Sequence, residues 1–172
     1  DGNFAPWVGA MIVDVEQPIL LVCPAGKVEE TITRLSRVGF DKVLGYLHGG
    51  IESWTSDGME TDHISALEAS EFAELRSKTD LKVVDVRKPG EYLSEHVLDA
   101  ESMPLADLNG HLAEIPKEGD FYVHCLSGYR SLIAMSILKA RGYHNGINVN
   151  GGFTAIKETV APLSDYVCPS TL

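Results

Sequence analysis

The sequence is poor in cysteine, in positive charge and in long apolar runs, and each shortage removes a class of protein. Its three cysteines, Cys23, Cys125 and Cys168, are an odd and scattered set in 172 residues. A disulfide framework uses more of them in a shorter secreted chain. Structural zinc needs clustered spacing such as C-x2-C, whereas the closest two here, Cys125 and Cys168, lie 43 positions apart. The six histidines form no H-x-H or H-E-x-x-H pattern. No metal and no cofactor is expected, and cysteine chemistry falls to single thiols. With 14 basic against 25 acidic residues, a net charge of −11 and no basic block, the chain is a poor match for a phosphate backbone. No apolar stretch approaches the ~20 residues that span a bilayer. The opening Asp1-Gly2-Asn3-Phe4 lacks the basic start and apolar core of a signal peptide. Neither nucleic acid nor membrane is an expected partner, and the expected setting is cytoplasmic.

What remains is an ordinary globular composition, 44% hydrophobic and 23% charged, carrying an internal repeat. Leu21-Val22-Cys23-Pro24-Ala25-Gly26 lies 102 residues before Val123-His124-Cys125-Leu126-Ser127-Gly128, and Gly49-Gly50 lies 102 before Gly151-Gly152. In each copy a short apolar run reads as a buried strand and leads into a Cys-x-x-Gly turn. A helical stretch and a second short strand follow. Strand–helix–strand connections of this length require parallel pairing. Only the second copy has a full upstream half: a short strand near Ile64, a helix over about 69–77 and a buried strand over 82–86. A helical stretch over about 105–114 completes it. Another helix is expected over 131–141, apolar on most sides. The polar stretch 55–62 marks the boundary. Residues 1–60 read as a partial, degenerate copy and residues 61–172 as a complete α/β domain. On this reading Asp1 marks a cut through a domain, with the missing half upstream in a longer chain or replaced by support from residues 61–172.

The chemistry concentrates at Cys125. A thiol at the end of a buried strand, in a tight turn before a helix, sits where backbone N–H groups converge on an anion. Such a field favours a thiolate. Gly128 can adopt the positive φ that a ring-shaped loop requires. Leu126, Ser127, Gly128, Tyr129, Arg130 and Ser131 complete the loop, with hydroxyls at Ser127 and Ser131, a cation at Arg130 and Tyr129 at the mouth. A lone cysteine at a strand end is more often a small buried hydrophobe. The Gly-x-Arg-Ser continuation, the following helix and the upstream Asp85-Val86-Arg87 reverse that preference. Asp85 and Arg87 end a strand parallel to that of Cys125 and are expected on the same sheet edge. There they either orient the loop or contact the donor, or Arg87 forms an internal ion pair with Glu91 or Asp85. His124, one residue before the nucleophile, points to the opposite face and reads as a core histidine.

These residues resemble the rhodanese superfamily. The matching segments are Val84-Asp85-Val86-Arg87, Glu91-Tyr92, His96-Val97, the loop Cys125 to Ser131, Arg141-Gly142-Tyr143 and Gly151-Gly152. The resemblance implies a parallel sheet with helices on both faces, one complete domain plus a partial second copy. It also implies a cysteine that carries sulfane sulfur as a persulfide. One departure stands out: the family's Gly-His-Ile-x-Gly-Ala appears as Glu95-His96-Val97-Leu98-Asp99-Ala100, with acidic residues in place of both glycines. Related dual-specificity phosphatases place five residues between Cys and Arg. Here four separate Cys125 from Arg130, a smaller ring suited to one sulfur atom. The expected reaction is sulfur transfer from a small anionic donor, thiosulfate or a low-molecular-weight persulfide, to a thiol or cyanide acceptor. The alternatives are a cysteine phosphatase and a non-catalytic sulfur-sensing or interaction module.

Cys23 has a poorer setting. Pro24 removes an N–H from its turn, Val28 stands where Arg130 stands, and Glu29 and Glu30 repel an anion, which Lys27 offsets only in part. A degenerate site is expected there. Cys168 lies in a tail expected to be loosely held. A degenerate copy followed by an intact one also resembles the C-terminal region of metallo-β-lactamase-fold/rhodanese fusion proteins, which implies an upstream domain of that fold in the parent chain.

Overall fold

The short apolar runs form parallel strands in both halves of the chain. The computed structural model describes residues 4–12 and 14–168, and two compact units divide it, residues 1–62 and 63–172. The first unit runs α1 (Phe4–Met11), β1 (Ile19–Leu21), α2 (Val28–Ser36), β2 (Val43–Tyr46) and α3 (Gly50–Ser56). β1 and β2 pair in parallel. Ile19, Leu21 and Val43 pack with Leu35, Phe40 and Phe4 and Val8 of α1. Strand residues alternate in direction, and Leu20, Leu44 and Tyr46 are exposed at 76%, 70% and 51%.

The second unit runs β3 (Ala66–Leu67), α4 (Ala69–Lys78), β4 (Lys82–Asp85), α5 (Pro89–Ser94) and β5 (Glu101–Ser102). Two 3-10 helices (Leu105–Gly110, Leu112–Glu114), β6 (Phe121–His124), α6 (Tyr129–Ala140), β7 (Gly146–Val149) and α7 (Gly152–Ile156) follow. Its five strands lie in the order β3-β7-β6-β4-β5, every pair parallel. Val83, Tyr122 and Val149 meet Phe72 of α4 and Phe153 and Ile156 of α7 in one core cluster. Phe121 points to the other face, where Met135 of α6 closes on Gly146. Helices therefore cover both faces. Among the described residues no helix is long and apolar enough to cross a membrane.

Several local expectations shift. The first strand of this unit lies at Ala66–Leu67 instead of near Ile64, because its pairing partners are Asn148 and Val149. The stretch expected as one helix over 105–114 forms two 3-10 turns. α6 begins two residues earlier than Ser131, since Gly128, at φ +101°, supplies the left-handed residue from which the helix starts. Its buried stripe is narrower than its composition indicates: Ser131, Ala134, Met135 and Leu138 are buried while Leu132 is exposed. The tail is tied down up to Val167, whose N–H donates to Ser94 O, while Ser164 N–H donates to His96 O.

The departure at Glu95 and Asp99 is accommodated. Among the described residues Asp99 is the one non-glycine with positive φ, +59°, a conformation that aspartate tolerates better than most. Its carboxylate accepts from Arg76 Nη2 at 2.9 Å, and the same nitrogen donates to Leu98 O. Glu95 lies at φ −170°, extended backbone that needs no glycine.

Phe72 is fully buried and rests on Tyr122, ring centroids 5.8 Å apart. Phe72→Ala is expected to lower the stability of the second unit by about 3–5 kcal/mol, read from urea unfolding of the full chain. A loss under about 1 kcal/mol would show that α4 does not anchor this face.

Candidate active site

Parallel pairing brings the ends of β4 and β6 together, with Asp85 opposite His124. Beyond β6 the chain turns through Cys125-Leu126-Ser127-Gly128 into α6. Cys125 is buried, 1% exposed, and the Gly128 N–H donates to its Sγ at 3.2 Å. The sulfur thus lies at the start of a 12-residue helix, where backbone partial charge favours an anion. Ser131, fully buried, donates its hydroxyl to Gly128 O at 3.0 Å and steadies the turn. Leu126, Ser127 and Tyr129 are exposed.

Two hydrogen bonds hold the loop from α7. Phe153 N–H donates to Cys125 O at 2.6 Å, and Thr154 N–H donates to Leu126 O at 2.9 Å. A trans peptide points its C=O and N–H in opposite directions. Carbonyls fixed on α7 therefore turn the N–H groups of Leu126 and Ser127 away from α7. Gly152 permits this approach. A Cβ there would meet Cys125 O at 2.5 Å and the Leu126 carbonyl carbon at 2.8 Å, and its φ is +58°.

Arg130 is bound to Glu91: Nη1 donates to Oε2 at 2.6 Å and Nη2 to Oε1 at 2.8 Å, a bidentate pair. Glu91 is the third residue of α5 and also accepts the Lys88 N–H. The Arg130 guanidinium holds the Glu91 carboxyl below the usual carboxylate range. Glu91 in turn raises Arg130, against the cost of burial. The cation expected to face an anionic donor is thus engaged at the rim of the loop.

Beneath the loop lies a buried polar group. Of the two expectations for Arg87, the ion pair is the geometry found. Asp85 accepts the Arg87 backbone N–H at 2.9 Å and Arg87 Nη2 at 2.6 Å, with both groups nearly inaccessible. Arg87 also donates to Glu95 O and stacks over Phe153, 3.9 Å from the ring centre. His124 is completely buried. Its Nδ1 lies 3.3 Å from Cys125 O and its Nε2 3.8 Å from Asp85 Oδ2. Burial pushes its pKa down, against Asp85 and the Cys125 carbonyl, so the ring is neutral at neutral pH. A cleft of about 460 Å³ borders the loop at Leu126. Phe153, Thr154, Glu91, Lys157 and Glu158 are among its walls.

The first unit holds a second cysteine turn. Gly26, Gly49 and Gly50 all have positive φ, as do Gly128, Gly151 and Gly152. A Cβ on Gly50 would lie 3.7 Å from Cys23 O, against 2.5 Å for the corresponding pair in the second unit. Lys27 is paired with Glu30 at 2.7 Å. The cleft at Cys23, about 980 Å³, is lined by Glu29 and Glu52 but by no Lys or Arg.

The sequence offered Glu91 as a family match and a partner for Arg87, whereas it binds Arg130; Phe153 and Thr154 were not singled out. For Gly152 a signal existed: the Gly-Gly pair recurs at the same offset as the cysteine turn. For Phe153 and Thr154 none did, because they act through backbone N–H groups that any residue carries.

Comparison with known proteins follows the same segment. The rhodanese-like domain model matches residues 68–159. A sulfurtransferase of Allochromatium vinosum is 35% identical over 81 residues, covering 47% of this chain and 76% of that protein. A thiosulfate sulfurtransferase of Pseudoalteromonas translucida is 29% identical over 97 residues, covering 56% of this chain and 90% of that protein. The chain spans about half the length of other curated relatives it matches. Among solved structures, a rhodanese-like domain protein from Staphylococcus aureus superposes with a TM-score of 0.51 at 26% identity. That match covers 54% of this chain and 91% of the other.

Gly152→Ala pushes the loop carbonyls off α7, and the alkylation rate of Cys125 is expected to change by about tenfold or more; an unchanged rate would refute the pinning role. Glu91, with its lowered pKa, stabilises the fold above the ordinary glutamate range and loses that contribution on acidification. Glu91→Gln is therefore expected to be less stable than wild type at pH 7. The gap should close as pH falls through and below about 4, measured by denaturant unfolding across pH.

Proposed function

The chain belongs to the rhodanese-like family, and from that premise we propose that it is a sulfurtransferase carrying sulfane sulfur on Cys125. The observation that carries this reading is the Gly128 N–H directed at Sγ, in a loop whose carbonyls are held outward. Such a ring stabilises a terminal sulfur anion with backbone dipoles. Two relatives named as sulfurtransferases support the same activity.

The proposed cycle is a double displacement. The Cys125 thiolate attacks the outer sulfur of thiosulfate. A new S–S bond forms, the sulfur–sulfur bond of the donor breaks, and sulfite departs with its electron pair. Cys125 then bears a persulfide anion, which accepts hydrogen bonds from the ring amides. A nucleophilic acceptor, a thiolate or cyanide, takes the outer sulfur and returns the Cys125 thiolate. No external oxidant or reductant enters. A low-molecular-weight persulfide serves as donor by the same step, with a thiolate leaving in place of sulfite. The cleft beside Leu126 offers room for the acceptor. Arg130, held by Glu91, ties the start of α6 to α5 at the rim of the loop.

The first unit belongs to this proposal as a degenerate second copy. Matching positive-φ glycines support that reading, and the carboxylates at Cys23 oppose an anionic persulfide there. An upstream metallo-β-lactamase-fold domain in the parent chain rests on the order of a degenerate copy before an intact one.

Incubation with thiosulfate followed by mass spectrometry is expected to show one added sulfur atom on Cys125 and none on Cys23. Cyanide should remove it as thiocyanate, and Cys125→Ser should take up none. Absence of both adduct and thiocyanate would overturn the reading.

A further inference from the structure

His124 is the one imidazole buried under the nucleophile, and the reaction just described leaves it without a task. Its surroundings are specific. From the end of β4 the carboxylate of Asp85 and the guanidinium of Arg87 face it. From α7 the Phe153 ring stacks on it at 6.1 Å. From the loop the Cys125 carbonyl approaches Nδ1 at 3.3 Å. Nε2 is buried and makes no hydrogen bond. Native folds rarely leave such a group unsatisfied without a reason.

The reason lies in how Asp85 is used. Its two oxygens receive the Arg87 backbone N–H, Nε and Nη2, all within 3.0 Å. The nearest carboxylate oxygen is 3.8 Å from His124 Nε2, beyond hydrogen-bond range. Among the described residues the one acceptor within reach of the ring is the Cys125 carbonyl, so the single proton of the neutral imidazole belongs on Nδ1. That carbonyl already accepts the Phe153 N–H at 2.6 Å.

We propose that His124 is a positioning residue for the nucleophile. Its Nδ1–H joins the Phe153 N–H on the Cys125 carbonyl and so holds and polarises the Cys125–Leu126 peptide. A carbonyl with two donors makes the N–H of the same peptide a stronger donor. The Leu126 N–H is the first amide of the ring that receives the sulfur anion. Asp85 and Arg87 act one step further back, by satisfying each other and leaving the His124 proton to the loop. This rests on the reading of Cys125 as a sulfur-carrying nucleophile, which the thiosulfate adduct on the wild-type protein tests separately.

The wild-type chain supplies the first measurement. Nitrogen-15 shifts of the His124 ring between pH 6 and 8 are expected to show Nδ1 protonated and Nε2 bare; the opposite tautomer overturns the proposal. Kinetics supply the second. His124→Phe keeps the ring but removes the donor. It should lower kcat for sulfur loading between about threefold and about tenfold, the range one ordinary hydrogen bond commands, with KM for thiosulfate little changed. It should also move the pH profile of Cys125 alkylation upward. His124→Asn, whose amide N–H reaches the same carbonyl, should restore most of the rate. A wild-type kcat and alkylation profile in His124→Phe would sink the idea. So would His124→Asn failing as badly as His124→Phe, which would mean that the ring only fills space.

Discussion

Two backbone hydrogen bonds, from the N–H groups of Phe153 and Thr154 to the carbonyls of Cys125 and Leu126, decide what the cysteine loop can be. The first N–H groups of a helix lack partners within it, and a tight loop has carbonyls that must be satisfied somewhere. Each solves the other's problem. The arrangement depends on β7 lying beside β6, which sets α7 against the loop. It also depends on Gly152, where a Cβ would overlap two loop peptides. With the carbonyls fixed outward, the amides face the ring without any side chain directing them. The sheet, the Gly-Gly turn and the loop are thus one device.

Charge reinforces this economy. Both arginines near the site are already paired, Arg130 with Glu91 and Arg87 with Asp85. A paired guanidinium presents little net attraction to a free anion, and the chain as a whole is acidic, at −11. Long-range steering of an anion is therefore unfavourable. On the proposed function, attraction for an anionic donor falls to the short-range backbone dipoles at Cys125. The ion pairs do different work: Glu91 ties the start of α6 to α5, while Asp85 and Arg87 form the floor.

Much of this was legible in the residues. Cys125 at a strand end, the positive-φ Gly128, and Asp85 and Arg87 on the neighbouring strand follow from spacing and alternation. Parallel pairing follows from the connection lengths, and the helices on both faces from the family resemblance. What was not legible acts through the backbone or through distant pairing. Phe153 and Thr154 contribute N–H groups, which no side-chain pattern reveals. Glu91 meets Arg130 across 39 positions of sequence, a contact that needs the fold. The hydrophobic composition of α6 pointed to wider burial than it has, because composition does not say which stripe meets the sheet. Asp99 shows the opposite case. Two acidic residues in place of glycines cast doubt on a turn, yet only Asp99 needs a left-handed backbone, and Arg76 binds its carboxylate there.

The first unit separates what makes such a turn from what makes it reactive. Cys23 keeps the strand, the turn glycine and the Gly-Gly pair, all with the corresponding backbone conformations. Yet a Cβ on Gly50 would stand 3.7 Å from Cys23 O, where its counterpart in the second unit would collide at 2.5 Å. Glu29 and Glu52 line the cleft without a cation, and Lys27 is held by Glu30. Its sheet has two strands, with Leu20, Leu44 and Tyr46 on an open face. The second unit has five, and the same level of its sheet carries the buried Asp85, Arg87 and His124. The two cysteine turns share their local backbone geometry and differ in how closely the glycine pair approaches the loop, in the cation near them, and in the buried polar groups beneath.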